Sequence, residues 1–377
     1  RVPPGGEPQA LDALEGPALD ALREPGAVLL VGERAAEVPG LYSAVARLAA
    51  GTGARIAWVP RRAGERGALE AGAVPTLLPG GRPVTDPQAR AEIEDAWGVT
   101  LSSQPGRDTA GILAAVAAGE LDGLVVGGVD PADLPDPRLA EQALNRASFV
   151  VSLEMRPSAV TRAANVVLPI APAVEKAGSY LDWEGRRREF TTTINTSGIG
   201  AALPDCRVLD SLAVEMDVDL FTQTPAAAWA GLAALGRYTG ARLDPPAVPP
   251  VPRPEVGEGQ ALLATWRRLL DNGSMQDGEP HLAGTARPAV AMLSEATATE
   301  LGVHIEGRVT VSTQQGSVTL PAAAADLPAG VVWIPGNSGP ATVRSSLGAG
   351  HGAVVTVRAG NGVSTTETLT EAWGGKP

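Results

Sequence analysis

Arg186, Arg187 and Arg188 stand in a row behind Glu184 and Gly185, inside the stretch EKAGSYLDWEGRRREF at 175–190. A guanidinium offers a planar fork of donors that meets a carboxylate or a phosphate through two hydrogen bonds at once. Ser179 to Trp183 and Arg186 to Phe190 can pair across Glu184-Gly185, with the glycine supplying the positive φ of a tight hairpin turn. Tyr180 and Trp183 are then expected to anchor the arms against the rest of the domain. The stretch reads as a rigid hairpin presenting cationic donors; the plain alternative is a solvated arm. A second candidate is Gly127-Gly128, just ahead of Asp130-Pro131. Two glycines let a ligand or another backbone come close, or simply permit the turn.

Other chemistries find no support in the residue pattern. The one cysteine, Cys206, cannot supply the several thiolates of an iron–sulfur cluster, and it leaves no disulfide framework. His281, His304 and His351 have no ligand spacing with one another, so no zinc signature exists. The first apolar run is followed by GERAAEVPG, which lacks the glycines of the dinucleotide fingerprint. No P-loop, H-E-x-x-H or Ser–His–Asp order is present. Acidic residues are plentiful, yet no pair stands out for acid–base work.

The formal net charge of −12 argues against nucleic acid as a partner, because neutralising phosphates takes a basic surface. Apolar residues at 44% and charged ones at 19% make a globular composition. No apolar run approaches the roughly 18–20 residues of a membrane span. A lone cysteine fits a reducing compartment. The start, RVPPGGEP, carries neither methionine nor a signal-peptide pattern, and is expected to be a cut within a longer or processed chain.

These candidates must be carried by strands and helices that the pattern locates. AVLLVG (27–32), RIAWVP (55–60), LDGLVVGG (121–128) and SFVVSLE (148–154) are short apolar runs of buried-strand type. Helices are predicted over 38–50, over 87–97 with Asp86 as N-cap and Pro87 at the first position, over 107–118, and over 137–146. The stretch 61–86 is expected to be irregular. Alternating strands and helices with short loops imply an α/β, doubly wound parallel sheet whose ligands sit at the carboxyl ends of the strands. ANVVLPIAP (164–172) is extended, and helices follow over 205–216, capped by Asp205, and over 225–238.

Residues 241–259, ARLDPPAVPPVPRPEVGEG, are proline-dense and read as a stiff spacer. A short helix is predicted over 262–270. AVAML (289–293), a helix over 294–301, RVTVST (308–313), SVTLP (317–321), VVWIPG (331–336) and AVVTVR (353–358) then suggest a small barrel. Gly316 is expected at the left-handed position of the 314–316 turn. The resulting partition is an extension over 1–25, a Rossmann-like domain over 26–154, an α+β segment over 155–240, a linker over 241–284 and a barrel over 285–377.

GGVDPADL (127–134), TRAANVVLP (161–169), the 175–190 stretch and PDCRVLDSLA (204–213) resemble, in this order, motifs of molybdopterin oxidoreductases of the dimethyl-sulfoxide-reductase class. The closing AMLSEATATELGV…GRVTVSTQQGSVTLP…LPAGVVWIPGNS resembles that class's C-terminal dinucleotide-binding domain, a double-psi β-barrel. RGALEAGAVPTLLPGGR (66–82) and LDWEGRRREF narrow the likeness to the family of large peripheral-arm subunits of bacterial NADH-quinone oxidoreductases.

The resemblance implies that strand-end loops line a pterin cleft, of which Gly127, Gly128, Asp130, Arg156, Glu184, Gly185 and Arg186 are the degenerate remnant. The class carries Asn where Asp130 and Asp182 stand, and Gln where Arg188 stands. Acidic groups facing an anionic pyrophosphate are unfavourable. The resemblance therefore implies a non-catalytic structural region without molybdenum, catalytic residues or metal ligands of its own. It further implies cysteine-ligated [2Fe–2S] and [4Fe–4S] clusters elsewhere in the whole subunit, and other peripheral-arm subunits as partners on the cytoplasmic face of the plasma membrane. It also implies that the 155–240 segment is half of a discontinuous domain, leaving apolar surface uncovered. Two alternatives are an active molybdopterin enzyme, such as a formate dehydrogenase or nitrate reductase, and a fold relic that binds a small anion.

Overall fold

The computed structural model describes residues 1–196, 198, 202–244 and 246–360; the last part of the expected barrel domain, 361–377, lies outside them. Two short helices open the chain, α1 (Glu7–Asp12) and α2 (Pro17–Arg23), each with proline in the first turn where its missing N–H is harmless. Strand β1 (Val28–Gly32), α3 (Leu41–Thr52) and β2 (Arg55–Val59) follow, with β1 and β2 in a two-stranded sheet. The stretch expected to be irregular holds α4 (Glu65–Glu70) and a tiny ladder of β3 (Leu77–Leu78) with β4 (Arg82–Pro83). Then come α5 (Pro87–Trp97) and α6 (Thr109–Ala118). Asp86 caps α5 as expected, accepting from the Gln88 and Ala89 N–H groups.

Strand β5 (Gly123–Gly127), α7 (Pro137–Arg146), β6 (Phe149–Glu154), α8 (Ala159–Ala163) and β7 (Val166–Pro169) make a three-stranded parallel sheet in the order β5-β6-β7. Its core joins Val116, Leu124, Ala143 and Val150. Beyond it lie the hairpin β8 (Gly178–Leu181) and β9 (Arg187–Phe190), then α9 (Asp205–Glu215) and α10 (Pro225–Ala234). Asp205 does not cap α9: Pro204 holds that place, and the Asp205 carboxylate pairs with Lys176. α10 stops short of Tyr238, which is buried past its end.

The region 260–266 is a strand, β10 (Gln260–Trp266), where the sequence predicts a helix. Its Ala261, Leu262 and Leu263 are buried on both faces, so Ala–Leu composition mimics a helix while tertiary pairing decides. After α11 (Pro280–Ala283) come β11 (Ala291–Leu293), α12 (Glu295–Glu300), β12 (Arg308–Ser312), β13 (Ser317–Ala324), β14 (Val331–Pro335), β15 (Asn337–Ser338), β16 (Ala341–Thr342) and β17 (Val354–Ala359). Five of them close a barrel with β10, in the order β10-β14-β11-β13-β12-β17. β10–β14 and β11–β13 run parallel, whereas β10–β17, β11–β14, β12–β13 and β12–β17 run antiparallel. Leu263, Leu293, Val309, Val311, Val332 and Ile334 are fully buried at the centre. Gly316 is not left-handed as expected. It is glycine because a Cβ there would lie 2.2 Å from the Ser346 carbonyl oxygen.

The described residues form two compact units: one holds 1–57, 132–137 and those between 246 and 360; the other holds those within 58–131 and 138–244. The proline-rich stretch does not run free in the first unit. The Ser43 hydroxyl donates to the Pro246 carbonyl (2.8 Å) and accepts from the Val248 N–H (3.0 Å), and a Cβ on Gly40 would collide with Pro250. No described helix is long and apolar enough to cross a membrane.

Candidate functional site

The strand tips of the second unit bring four of the expected residues together. β5 ends at Gly127, in register with Leu153 of β6. Gly128 follows with φ +62° and donates its N–H to the Leu153 carbonyl at 3.2 Å. A Cβ on Gly128 would meet nothing, and one on Gly127 only ordinary contacts. These glycines serve the turn, and Gly128 is required by its backbone angle.

At the tip of β6 the chain reads Glu154-Met155-Arg156. Burial pushes the Glu154 carboxyl above the ordinary glutamate range, and Asp130 pushes it the same way. The Met155 and Gly128 N–H groups and the Arg156 charge pull against that rise. Gly127, Gly128, Asp130 and Arg156 thus gather around a carboxylate, Glu154, that sequence reasoning places at the strand end but does not single out.

Glu184, Gly185 and Arg186 belong to a different constellation. Gly178 pairs with Phe190 and Leu181 with Arg187, so the turn runs from Asp182 to Arg186, wider than a Glu184-Gly185 corner. Trp183 is therefore in the turn and not on an arm. Gly185 does take positive φ, +84°. Asp182 organises the turn: its Oδ1 accepts from the Glu184 and Arg186 N–H groups at 3.1 and 2.8 Å, and Arg188 Nε donates to its Oδ2 at 3.2 Å. The Arg186 N–H bond, helped by Arg188, holds the Asp182 carboxyl below the usual aspartate range against a smaller opposing effect of burial.

The expected cationic donors are occupied. Arg186 pairs with Glu184, Arg187 with Glu189 at 2.5 Å, and Arg188 with Asp182 at 3.2 Å. Arg187 also lies 4.4 Å from the centre of the Trp229 ring, which fixes the hairpin to α10. Tyr180 and Trp183 do not anchor the arms, being 42% and 47% exposed. Tyr180 stacks on Phe190 instead, at 5.2 Å between centroids. Gly178 makes room for that ring, since a Cβ there would come within 2.7 Å of it.

Sequence reasoning misses Arg82. It is 2% exposed and fully engaged: Nε donates to Glu92 at 2.7 Å, and the terminal nitrogens donate to the carbonyls of Pro79 and Leu235 at 3.0 and 2.8 Å. A signal exists in PGGRP, a cation set among turn residues, but its partner at Leu235 lies far away in sequence. Among the described residues no group of three or more His, Cys, Asp or Glu could hold a metal ion.

The family described as Molybdopterin oxidoreductase matches residues 29–213. The NADH-quinone oxidoreductase G subunit of Mycobacterium tuberculosis is 52% identical over 360 residues, covering 95% of this chain and 45% of that protein. The G subunit of the Streptomyces coelicolor NADH-quinone oxidoreductase is 47% identical over 368 residues, covering 94% and 43%. A periplasmic nitrate reductase of Desulfovibrio desulfuricans is 31% identical over 159 residues, 41% of this chain and 21% of that enzyme. The chain thus spans less than half the length of these G-subunit relatives.

Proposed function

We propose that the chain serves as a structural, non-catalytic region of the G subunit of an NADH-quinone oxidoreductase, a reading supported by the match of residues 29–213 to the Molybdopterin oxidoreductase family and by G-subunit relatives along nearly its whole length. The whole complex passes electrons from NADH to quinone, coupled to proton translocation, and the iron–sulfur clusters of the subunit sit on cysteines other than Cys206. This region completes the subunit and docks it among the other peripheral-arm subunits, on the cytoplasmic face of the bacterial plasma membrane.

The observation that carries this reading is the pair of carboxylates at the strand tips. A molybdopterin dinucleotide would set an anionic pyrophosphate there, against Asp130 and a half-buried Glu154. Repulsion between like charges strengthens as water is excluded. The Arg156 charge already acts on Glu154, and the hairpin arginines pair with Glu184, Glu189 and Asp182. The residues present do not fit the group.

The six-stranded barrel is read as a double-psi winding, supported by its two parallel pairs among antiparallel ones, and β1–β2 and β5–β6, each in its own sheet, as the doubly wound elements. The proposed domain partition is taken with the barrel starting at Gln260, because β10 is one of its strands. In the assembled complex, Asp130→Asn and Arg156→Gln are expected to leave NADH–quinone turnover unchanged. Lost turnover with the complex intact would contradict the reading. The similarity to a nitrate reductase favours a second reading, an active molybdopterin enzyme, which requires stoichiometric molybdenum.

A further inference from the structure

One short stretch is held apart from its neighbours in sequence. Residues 132–137 belong to the unit that holds the barrel, whereas the described chain on either side, within 58–131 and 138–244, belongs to the other. Pro131, Pro135 and Pro137 stiffen the stretch, so a grip at one point fixes the rest.

The grip falls on Asp133. One terminal nitrogen of Arg344 donates to the Asp133 carbonyl at 2.6 Å, and the other donates to Glu37 Oε1 at 3.3 Å. Arg267, just past the end of β10, pairs with the Asp133 carboxylate at 3.3 Å. Glu37 closes a 3₁₀ turn, Glu33–Glu37, that follows β1. Arg34 of the same turn lies 4.9 Å from the centre of the Trp266 ring. Two loops, one after β1 and one after β5, thus meet two arginines of the barrel unit.

Arg344 is aimed before it meets them. It sits in a π-helical turn, Val343–Leu347, a rare form often found at functional sites. Val343 and Leu347 sink into the barrel core. The Thr313 hydroxyl donates to the Leu347 carbonyl at 2.6 Å, and the Thr342 and Ser346 hydroxyls bond to each other. With its backbone fixed at both ends, the Arg344 fork loses little freedom when it engages. An isolated surface ion pair contributes little. Here one guanidinium bridges a carbonyl and a carboxylate on two loops, and a second holds the same aspartate, so the loop is released only when both let go.

We infer that Arg344 and Arg267 form a clasp, which closes the loop after β5, through Asp133, and the turn after β1, through Glu37, onto the barrel. Loops at the carboxyl ends of strands are the ones through which α/β folds admit ligands. The clasp fastens two such loops with the chain's own carboxylates, which use the guanidinium forks that would otherwise take an anion. It rests on these contacts and holds whether or not the region is catalytic.

Hydrogen exchange of the full-length subunit in its purified complex, read peptide by peptide, tests the clasp. Arg344→Met is expected to speed exchange over 132–137 at least about tenfold. Over 33–37 the effect is smaller, because Arg34 still holds that turn to Trp266. Arg267→Met speeds 132–137 alone. The β12 and β14 amides keep their wild-type rates. Asp133→Arg and Arg267→Asp each release the loop when made singly, and restore much of its protection when made together. If Arg344→Met also loosens β12 and β14, this charge exchange decides. Wild-type exchange over 132–137 in Arg344→Met with a folded barrel, or a charge exchange that restores nothing, overturns the clasp. Neither result bears on the metal content by which the functional reading is judged.

Discussion

The barrel and the 155–240 segment are made from similar residues and end in opposite states. In the barrel, apolar side chains converge from β10 to β17 until Leu263, Leu293 and Ile334 lose all contact with water. In the segment, α9 buries Val208 and Asp210 but leaves Leu209, Leu212 and Met216 outside, and α10 buries nothing completely. A closed barrel satisfies every strand by pairing with a neighbour and fills its own interior. A hairpin and two helices with no closure have one face to bury and need a surface to bury it on. The barrel buries its own core; the segment is expected to reach full burial in a larger assembly.

The largest effect should separate the two regions directly. Leu263→Ala or Ile334→Ala removes atoms from a sealed interior and should cost about 2–5 kcal/mol, read from urea unfolding of the chain. Leu209→Ala or Leu212→Ala should change stability by no more than about 0.5 kcal/mol, since both side chains already face water. Equal losses at both places would erase the distinction.

Next comes Arg82, a buried cation that ties the far end of the segment, at Leu235, to β4. Arg82→Met leaves Glu92 and two carbonyls without their donor. The expected loss is about 3 kcal/mol, toward the lower end for broken buried pairs because Glu92 reaches solvent. A neutral result would mean that packing alone holds this end.

A smaller effect is expected at Glu154. Its folded-state pKa is raised, so its stabilising contribution is complete below the ordinary glutamate pKa and is lost as pH rises through the raised value. At neutral pH the ionised carboxylate is therefore less comfortable in the fold than in the unfolded chain. Glu154→Gln keeps an acceptor for the Gly128 and Met155 N–H groups and should raise the melting temperature at pH 7, with the gain shrinking on acidification. A fall at pH 7 would show that attraction to Arg156 outweighs burial.

The smallest effect is local. Asp182 is depressed, so its clamp on the hairpin turn is present above the ordinary aspartate pKa and is lost as pH falls through the lowered value. Intrinsic-rate-corrected hydrogen exchange at the Arg186 amide should lose protection in that acidic range and in Asp182→Ala, with the barrel amides unaffected.

Legibility follows the range of the interactions involved. α5 is readable because Asp86-Pro87 carries its own start signal, and β5, β6, β12 and β14 because apolar β-branched runs between turns are local patterns. β10 is misread because Ala, Leu and Thr suit either state, and only its neighbours β14 and β17 decide. Gly316 is recognisable as a turn glycine, but for the wrong reason: the demand comes from Ser346, distant in sequence.

At the candidate site, the co-location of Gly128, Asp130 and Arg156 follows from the rule that ligand sites lie at strand tips. The occupation of the hairpin arginines is suggested by Glu184 and Glu189 nearby in sequence, but the Trp229 ring under Arg187 is not. Burial of Glu154 and Asp210 has no sequence signature, because it depends on what packs above them.

The central claim is that the strand tips no longer hold a pterin. It is tested most directly by assaying molybdenum, tungsten and extractable pterin in the purified complex that contains the full-length subunit, normalised to that subunit. The expected result is far less than one metal or pterin per subunit. One pterin with one metal per subunit would contradict the claim.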